Sequence, residues 1–225
     1  MSYTLELTEK RDAGENLSIL RFQPFVQDFQ IPGQFAVLKQ SDFDPGYFAL
    51  ASSPQDPYLE FLIKSSEGLA RSVVSMQPGQ TLTCESIQGK GFSLDAGPAT
   101  TPIHMFAMGA GLAPFRSLIR SVIANGEHCE LHLWQAAFHL PSVPLLDELL
   151  ELNKQGAITL HLCLDDQKEP TDIAYFAGQV HGAIESHGDW GDSRLLWIGS
   201  SEFGKALGQS LSNAGIRPEQ LLTNF

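Results

Sequence analysis

Apolar and polar residues alternate in short runs through the first part of the chain. Within residues 3–8, the side chains of Tyr3, Leu5 and Leu7 fall on one face, as they do in a half-buried strand. Turns rich in glycine and proline separate further runs of this kind, which span 17–22, 34–39, 58–63 and 80–85. Short strands with frequent turns predict an all-β unit, and the pattern leaves both a barrel and a sandwich open.

From Ile103 onward, apolar strands alternate with helical segments. The predicted strands are 103–108, 130–136, 157–164 and 195–199. The predicted helices are one that contains Pro114 and ends at Asn125-Gly126, one over 143–152, a turn and short helix over 178–186, and one over 203–214. This alternation predicts a parallel sheet. Residues 93–102 are small and turn-rich, and within them we divide the chain into domains 1–97 and 98–225.

The strand at 103–108 is followed by Gly109-Ala110-Gly111 and then by the helix. Pro114 suits a first helical turn, because its missing N–H would have no partner there. A strand, a glycine turn and a helix present free N–H groups and a positive helix end to a pyrophosphate. The spacing is GxGxxP rather than GxGxxG, and no acidic residue follows the next strand. An ordinary tight turn of an α/β domain therefore remains the alternative.

Length and charge narrow the class of protein. The chain has 225 residues, 43% of them hydrophobic, which suffices for two modest domains. The net charge of -12 disfavours nucleic acid and anionic membranes as partners. No apolar run approaches membrane-spanning length, and the first residues carry no signal pattern. We therefore expect a cytoplasmic protein that binds neither nucleic acid nor a membrane.

The cysteines and histidines do not predict a metal centre. Cys84, Cys129 and Cys163 form an odd, scattered set, which argues against a disulfide framework and excludes a four-cysteine iron–sulfur cluster within this chain. His161 and Cys163 share one face of a predicted strand. A zinc site needs four convergent ligands, and at most two can be recognised, so we expect no metal.

Several motifs, in order along the chain, resemble the ferredoxin–NADP reductase superfamily. Residues 109–117, Gly-Ala-Gly-Leu-Ala-Pro-Phe-Arg-Ser, resemble its nicotinamide-binding turn G-T-G-I-A-P-F-R-S. Residues 49–54 resemble its S-I-A-S-S-P, and 77–92 resemble the end of its flavin barrel. Weaker similarities lie at 32–35, 146–149 and 198–215. The resemblance implies an N-terminal antiparallel flavin-binding-type β-barrel followed by a C-terminal parallel-sheet nucleotide-binding domain.

The resemblance also implies where FAD would bind. In the family, R-x-Y-S/T on a barrel strand supplies an arginine to the pyrophosphate, a tyrosine that covers the flavin ring and a hydroxyl near the reactive nitrogen. The matching residues here are Gly46, Phe48 and Ala49, followed by Leu50 and Ala51. Phe48 can still stack on a ring, whereas the arginine and hydroxyl contacts are lost. Plain barrel core is the alternative role for Phe48.

A second phosphate contact of the family is a helix start of pattern G-x-x-S/T after a strand that ends in V-K. In this chain Ile63 and Lys64 end the strand, and residues 65–72 follow. The resemblance then implies a phosphate segment that contains Gly68, Ala70, Arg71 and Ser72. Arg71 can replace the missing positive charge. The alternative is that Arg71 is a solvated residue on a short helix.

For the nicotinamide cofactor, the resemblance implies binding by Gly109, Ala110, Gly111, Leu112, Ala113 and Pro114. The last strand of the family ends in C-G-P, but here Ile198-Gly199-Ser200 leaves only the Gly199 backbone. Relatives that prefer NADP carry G-A-R after the second strand. Residues 135–137 read Gln-Ala-Ala, so NADH is favoured over NADPH. Phe225 either shields the flavin, as terminal aromatic residues of some relatives do, or packs at the end of an edge strand.

Two functions follow from these features. The first is an FAD-dependent NAD(P)H oxidoreductase that passes electrons from a reduced nicotinamide through flavin to an acceptor. The sequence does not identify this acceptor; an electron-acceptor protein and a small molecule are both open. The second is a degenerate binding or regulatory subunit of the same fold with weak or no flavin binding, since Gly46, Ala49 and Ile198 each remove a contact.

Overall fold

The computed structural model of the chain describes residues 2–93, 101–187, 190–217 and 220–224. It divides into two compact units, of which the first comprises 1–94, 112–126 and 224–225, and the second 95–111 and 127–223. The predicted boundary between residues 97 and 98 lies in the segment 94–100, outside the described residues, and stays a prediction.

Within the described residues, the first unit contains one antiparallel sheet of six strands. They are β1 (Tyr3–Gly14), β2 (Leu17–Gln23), β3 (Phe35–Lys39), β4 (Gly46–Ala49), β5 (Leu59–Lys64) and β6 (Thr81–Gln88). The strand order is β4-β3-β6-β1-β2-β5. A bridge between Leu50, directly after β4, and Phe61 of β5 joins the two edges. The sheet thereby closes into the predicted antiparallel barrel.

Strand β1 continues to Gly14, well beyond the predicted end at residue 8. Residues 3–6 pair with β6, whereas residues 9–12 pair only with β2. A register shift between Leu7 and Glu9 interrupts the alternation of faces. Because the second half of β1 has one neighbouring strand, it carries charged side chains at successive positions, and the hydrophobic pattern alone ends the strand too early.

Helix α1 (Gly68–Ser75) packs against the barrel core. Its Leu69 and Val73 lie one turn apart and are both buried in the cluster that contains Phe22 and Phe61. These two rings meet edge to face, with 5.8 Å between their centroids. Full burial of each such side chain contributes roughly 1.5–3 kcal/mol, so this cluster is a main source of stability in the unit.

A buried carboxylate ties helix α2 (Leu112–Asn125) to the barrel. Glu60 of β5 is 1% exposed and Arg116 of α2 is 3% exposed. Arg116 Nη1 donates to Glu60 Oε2 and to the carbonyl oxygen of Ala51, each at 2.8 Å. Arg21 donates from Nε and Nη2 to the other carboxylate oxygen, at 3.1 and 2.9 Å. Both oxygens of the buried charge are therefore compensated by guanidinium groups.

Two further contacts follow along α2. Arg120 donates from Nε and Nη2 to the two carboxylate oxygens of Asp56, at 3.0 and 2.7 Å. One residue later, the hydroxyl oxygens of Ser121 and Ser53 lie 2.9 Å apart. Polar contacts thus extend along one side of the helix, and α2 is part of the first unit although it follows strand β7 in the chain.

We expect Arg116→Met to lower the free energy of unfolding by about 3 kcal/mol, because it leaves half of a buried carboxylate uncompensated. Glu60→Gln should also lower the free energy of unfolding, because it leaves the buried guanidinium of Arg116 without its charged partner. The double variant should lose less than the sum of the single losses, since neither charge is then stranded. Urea unfolding of the four proteins measures this coupling.

Arg120→Met, one turn further along the same helix, is the matched control. Its guanidinium is partly exposed, so its removal should cost only about 1 kcal/mol. Additive effects of the Arg116 and Glu60 variants would contradict the assigned pairing.

Within the described residues, the second unit contains six strands in one parallel sheet. They are β7 (Ile103–Met108), β8 (Leu131–Ala137), β9 (Thr159–Leu164), β10 (Phe176–Ala177), β11 (Arg194–Ile198) and β12 (Leu221–Leu222), in the order β10-β9-β8-β7-β11-β12. Its helices are α3 (Leu146–Lys154), α4 (Val180–His187) and α5 (Ser201–Asn213). The predicted parallel-sheet domain is confirmed. In the described ranges no helix is long and apolar enough to cross a membrane.

Candidate functional site

The strand order of the parallel sheet reverses at β7. Strand β8 lies on one side of β7 and β11 on the other, although they are far apart in sequence. In sheets of this kind, dinucleotides bind at the carboxyl ends of the strands beside such a reversal. A short 3-10 turn, Gly109–Gly111, follows β7 there, and Gly199 follows β11. The fold therefore brings the predicted nicotinamide turn and Gly199 to the same edge of the sheet.

The two glycines of the turn are required for different reasons. Gly109 has φ +53°, a conformation that disfavours most side chains, and a Cβ atom there would meet nothing within 4 Å. The space above Gly109 is open to a ligand. A Cβ atom on Gly111 would lie 2.6 Å from the carbonyl oxygen of Ile198. Gly111 thus lets the turn pack against β11, whereas the resemblance implies that both glycines bind the nicotinamide cofactor.

The other predicted residues of this segment differ in accessibility. Ala110 is half-buried, and Leu112, Ala113 and Pro114 are buried in the first turn of α2. These three can reach a ligand only through their backbone. No acidic residue lies in this first turn, so nothing there opposes an anion at the positive helix end.

Residues 198–200 have packing roles of their own. A Cβ atom on Gly199 would lie 2.5 Å from Cδ1 of Phe203, so this position requires a glycine. Ser200 caps α5, because its hydroxyl oxygen accepts a hydrogen bond from the Phe203 N–H at 3.2 Å. The predicted helix over 203–214 did not include this cap, which the serine before a helical pattern could have signalled.

Gly46 and Phe48 lie together on the face of β4 that adjoins α1. A Cβ atom on Gly46 would lie 2.9 Å from Cε2 of Phe48 and 3.1 Å from Cδ2 of Leu69. The Phe48 ring therefore covers the position from which the family arginine would extend. It also packs, half-buried, against the barrel core, as the core alternative predicted. The exposed ring of β4 is instead that of Tyr47, a residue that is 70% exposed to solvent. This ring meets that of Phe35 edge to face.

Of the three residues that follow Phe48, Leu50 and Ala51 have their backbone N–H groups in hydrogen bonds. Ala49 is half-buried, and the side chains of Leu50 and Ala51 are fully buried. The N–H of Leu50 donates to the backbone carbonyl oxygen of Gln34 at 3.0 Å, and the N–H of Ala51 donates to that of Glu60 at 2.7 Å. Through these two bonds Leu50 and Ala51 hold the barrel closed, so they can border a cofactor but have no free N–H to offer it.

The start of α1 presents basic side chains. Lys64 and Arg71 are exposed, while Ile63 is buried and Ala70 half-buried. Arg71 Nε donates to the carbonyl oxygen of Ser66 at 3.0 Å, which holds its guanidinium over the segment that leads into the helix. Gly68 has φ +61° with open space around its Cβ position. Because Leu69 touches the Gly46 position, the start of α1 and the face of β4 form one surface.

One predicted position, Ser72, faces a different part of the surface, and another, Phe225, cannot be placed. Ser72 lines a polar hollow of about 510 Å³ together with Lys39 and Thr81, and neither Phe48 nor Arg71 borders it. Phe225 lies outside the described residues. The residue before it, Asn224, is buried and donates from Nδ2 to the carbonyl oxygen of Gly33 at 2.7 Å.

The side chains at the end of β8 offer no charge to a 2′-phosphate, and the described residues offer no metal site. Ala136 and Ala137 at the end of β8 are half-buried and uncharged, so neither could grip a 2′-phosphate. Among the described residues, no group of three or more histidine, cysteine, aspartate or glutamate side chains is arranged to hold a metal ion.

We expect Gly109 and Gly111 to respond differently to substitution. Gly109→Asn should leave the thermal midpoint nearly unchanged, because asparagine tolerates a positive φ and the space is open. Gly111→Ala should cost about 1–3 kcal/mol through its clash with the Ile198 backbone. Calorimetric melting of both variants tests this, and equal losses would contradict the two assignments.

No family model matches the chain. The gamma subunit of sulfhydrogenase 2 from Pyrococcus furiosus is 25% identical over 180 residues, which are 77% of this chain and 62% of that protein. The chain thus spans about three fifths of the length of this curated relative.

Two solved structures share the fold over nearly the whole length of this chain. Flavohemoglobin from Malassezia yamatoensis, with bound FAD and heme, has a TM-score of 0.85 at 18% identity, over 99% of this chain and 59% of that one. A ferredoxin–NADP⁺ reductase from Neisseria gonorrhoeae, with bound FAD and NADP, has a TM-score of 0.77 at 16% identity, over 99% and 97%. At these identities the similarity establishes the fold.

Proposed function

We propose that this chain, which has the two-domain fold of the ferredoxin–NADP reductase superfamily, is an FAD-dependent NAD(P)H oxidoreductase. It would pass electrons from a reduced nicotinamide through flavin to an acceptor. The observation that carries the proposal is the Gly109 turn, which is open above the glycine and lies where the sheet order reverses. The bound FAD and NADP of the Neisseria reductase support the same pair of cofactors.

The barrel residues fit FAD through a changed set of contacts. Phe48 would stack on the flavin, with Ala49, Leu50 and Ala51 beside it. The diphosphate would be held by Lys64, Arg71 and the N–H groups around Gly68 to Ala70, which replace the lost arginine. A bound flavin would supply the redox chemistry, and the residues of this chain would bind and orient it.

The turn from Gly109 to Pro114, with the Gly199 backbone, would hold the nicotinamide cofactor. NADH is the preferred form in this proposal, because no cation lies at Ala136 or Ala137. Hydride transfer itself needs no acid or base from the protein, which agrees with Ala49 and Ile198 at the positions where the family carries a hydroxyl and a thiol.

The acceptor in this proposal is a partner protein. The curated relative is named as a subunit of a larger enzyme, which supports transfer to another chain rather than to a small molecule. We propose a cytoplasmic location, because Cys84, Cys129 and Cys163 are all free thiols, as is usual in a reducing compartment.

One observation favours a second function, that of a regulatory or binding subunit without flavin. The Phe48 ring packs against the barrel core and covers Gly46, so the ring that would stack on a flavin is engaged with the protein itself. Colour distinguishes the two functions. A purified protein that stays colourless after mixing with FAD and desalting would support the subunit, and a yellow one the reductase.

We expect Arg71→Ala to weaken FAD binding at least tenfold, about 1.4 kcal/mol, because it removes the cation nearest the start of α1. FAD titration of apoprotein measures the affinity, with circular dichroism as the check on folding. Arg217→Ala, an exposed arginine of the second unit, is the matched control and should bind as the parent does.

Gly46→Arg restores the family arginine and should strengthen FAD binding once the Phe48 ring moves aside. An Arg71→Ala protein that binds FAD as tightly as the parent would show that Arg71 has no part in the diphosphate site.

For the nicotinamide, we expect a higher kcat/KM with NADH than with NADPH. Ala137→Arg should shift the preference toward NADPH, because a guanidinium can bind the 2′-phosphate with two hydrogen bonds. Gly109→Asn should raise the KM for NADH at least tenfold without a loss of bound flavin. A parent that prefers NADPH by tenfold would refute the role given to residues 136 and 137.

A further inference from the structure

A row of aromatic rings crosses the parallel sheet of the second unit on the face that carries α4. Phe106 of β7, Trp134 of β8 and His161 of β9 lie on three adjacent strands. The rings of Phe106 and Trp134 are stacked with 5.9 Å between centroids. Those of Trp134 and His161 are stacked at 3.9 Å, with 8° between their planes. The parallel pairing of the strands aligns the three rings, because it sets these positions side by side.

The row stops where the sheet ends. Strand β10 pairs with β9 through Phe176 and Cys163, and Ala174 lies two residues before Phe176, as His161 lies two residues before Cys163. The next position of the row thus falls at a small side chain. A hollow of about 330 Å³ opens there, bordered by His161, Cys163, Ala174, Tyr175, Phe176 and His187. Its size is that of a small-ligand site.

The hydrogen bonds of His161 fix its orientation. Its Nε2 lies 3.2 Å from Nδ1 of His132, and Nε2 of His132 lies 2.9 Å from Oε1 of Glu130. A carboxylate that accepts from one imidazole sets the tautomer of that ring, which in turn sets that of the next. The ring of His161 is therefore held in place, with one side against Trp134.

His187 of α4 supplies a polar group to the hollow. Its ring stands at 82° to that of His161, with 5.8 Å between centroids, and at 90° to that of Trp134. No hydrogen bond links its ring nitrogens to another described residue. Because its plane runs along the direction of stacking, a nitrogen of His187 can reach a substituent on the edge of a ring stacked on His161. A neutral imidazole offers one donor and one acceptor.

The hollow carries no charge near neutral pH. Burial, with a smaller contribution from neighbouring histidines, lowers the pKa of His161 to about 4, and it lowers the pKa of His187 in the same way. Burial also raises the pKa of the Cys163 thiol to about 12. Both imidazoles and the thiol are therefore neutral, so the hollow suits an uncharged ligand rather than an anion or a cation.

We propose that this hollow binds an uncharged, planar aromatic molecule of one or two rings that carries a hydroxyl or N–H group. Its ring would continue the row Phe106, Trp134, His161 on the open side of His161, and its polar substituent would bond to His187. The site is separate from the nucleotide edge, since it lies under α4 at the end of the row and Gly109 follows the carboxyl end of β7. It does not depend on the proposed reductase activity.

Calorimetric titration with 2-naphthol at pH 8, without flavin or nicotinamide, tests the site on the full chain. We expect saturable one-to-one binding to the parent. Ala174→Leu, which fills the open position of the row, should weaken it at least tenfold. Ala177→Leu is the matched control: this exposed alanine of β10 does not border the hollow and should leave the affinity unchanged.

Further titrations test separately the exclusion of charge, the hydrogen bond to His187 and the independence from the nucleotide site. 2-Naphthalenesulfonate should bind at least tenfold more weakly than 2-naphthol if charge is excluded. His187→Phe should weaken 2-naphthol severalfold and leave 2-methoxynaphthalene, which has no donor, unchanged. An excess of NADH should not displace 2-naphthol.

Equal affinity in the Ala174→Leu and Ala177→Leu proteins would overturn the proposal. Displacement by NADH would overturn it too, because the hollow would then belong to the nucleotide site. So would stoichiometric Zn²⁺ binding that excludes 2-naphthol and is lost in His161→Ala. Only the competition experiment contains NADH, so the other outcomes stay readable even if the chain binds neither flavin nor nicotinamide.

Discussion

The barrel depends on one buried carboxylate. Glu60 lies in the wall of the sheet with almost no exposure, and an unpaired charge there would cost several kcal/mol. Arg21 from the neighbouring strand compensates one oxygen and Arg116 from α2 the other. Arg116 is the arginine of the glycine-turn motif, so a residue that the resemblance associates with nucleotide binding serves here to attach α2 to β5. A motif match cannot reveal this, because the partner is distant in sequence.

The glycine turn illustrates a similar limit. The sequence correctly predicted that a strand, a glycine turn and a helix follow one another, and β7 begins and ends at the predicted residues. It could not distinguish a glycine required by its backbone conformation from one required by a neighbouring strand. Gly111 is fixed by the carbonyl group of Ile198, which only the strand order brings next to it. The open space therefore lies above Gly109 alone.

What the sequence predicted well depends on local pattern, and what it missed depends on register. Most strands and helices begin within a few residues of their predicted starts, because periodicity and turn residues specify them. The histidines looked like scattered strand residues. Only the parallel pairing, which sets His104 opposite His132 and Trp134 opposite His161, turns them into stacked rows. Of the proposed site, the sequence found the segments but not which side chains would be accessible.

The residues that hold the barrel together differ from those that the resemblance assigns to flavin binding. The barrel is held by its apolar cluster and by the Glu60 pairs, none of which involves Gly46 or Ala49. The Phe48 ring covers Gly46, the position that the resemblance assigns to the family arginine, and packs against the barrel core. In the proposed site the compensating charge comes from the loop and helix after β5, where Lys64 and Arg71 are exposed. Cofactor affinity in this chain should therefore vary with few residues, while the fold tolerates their replacement.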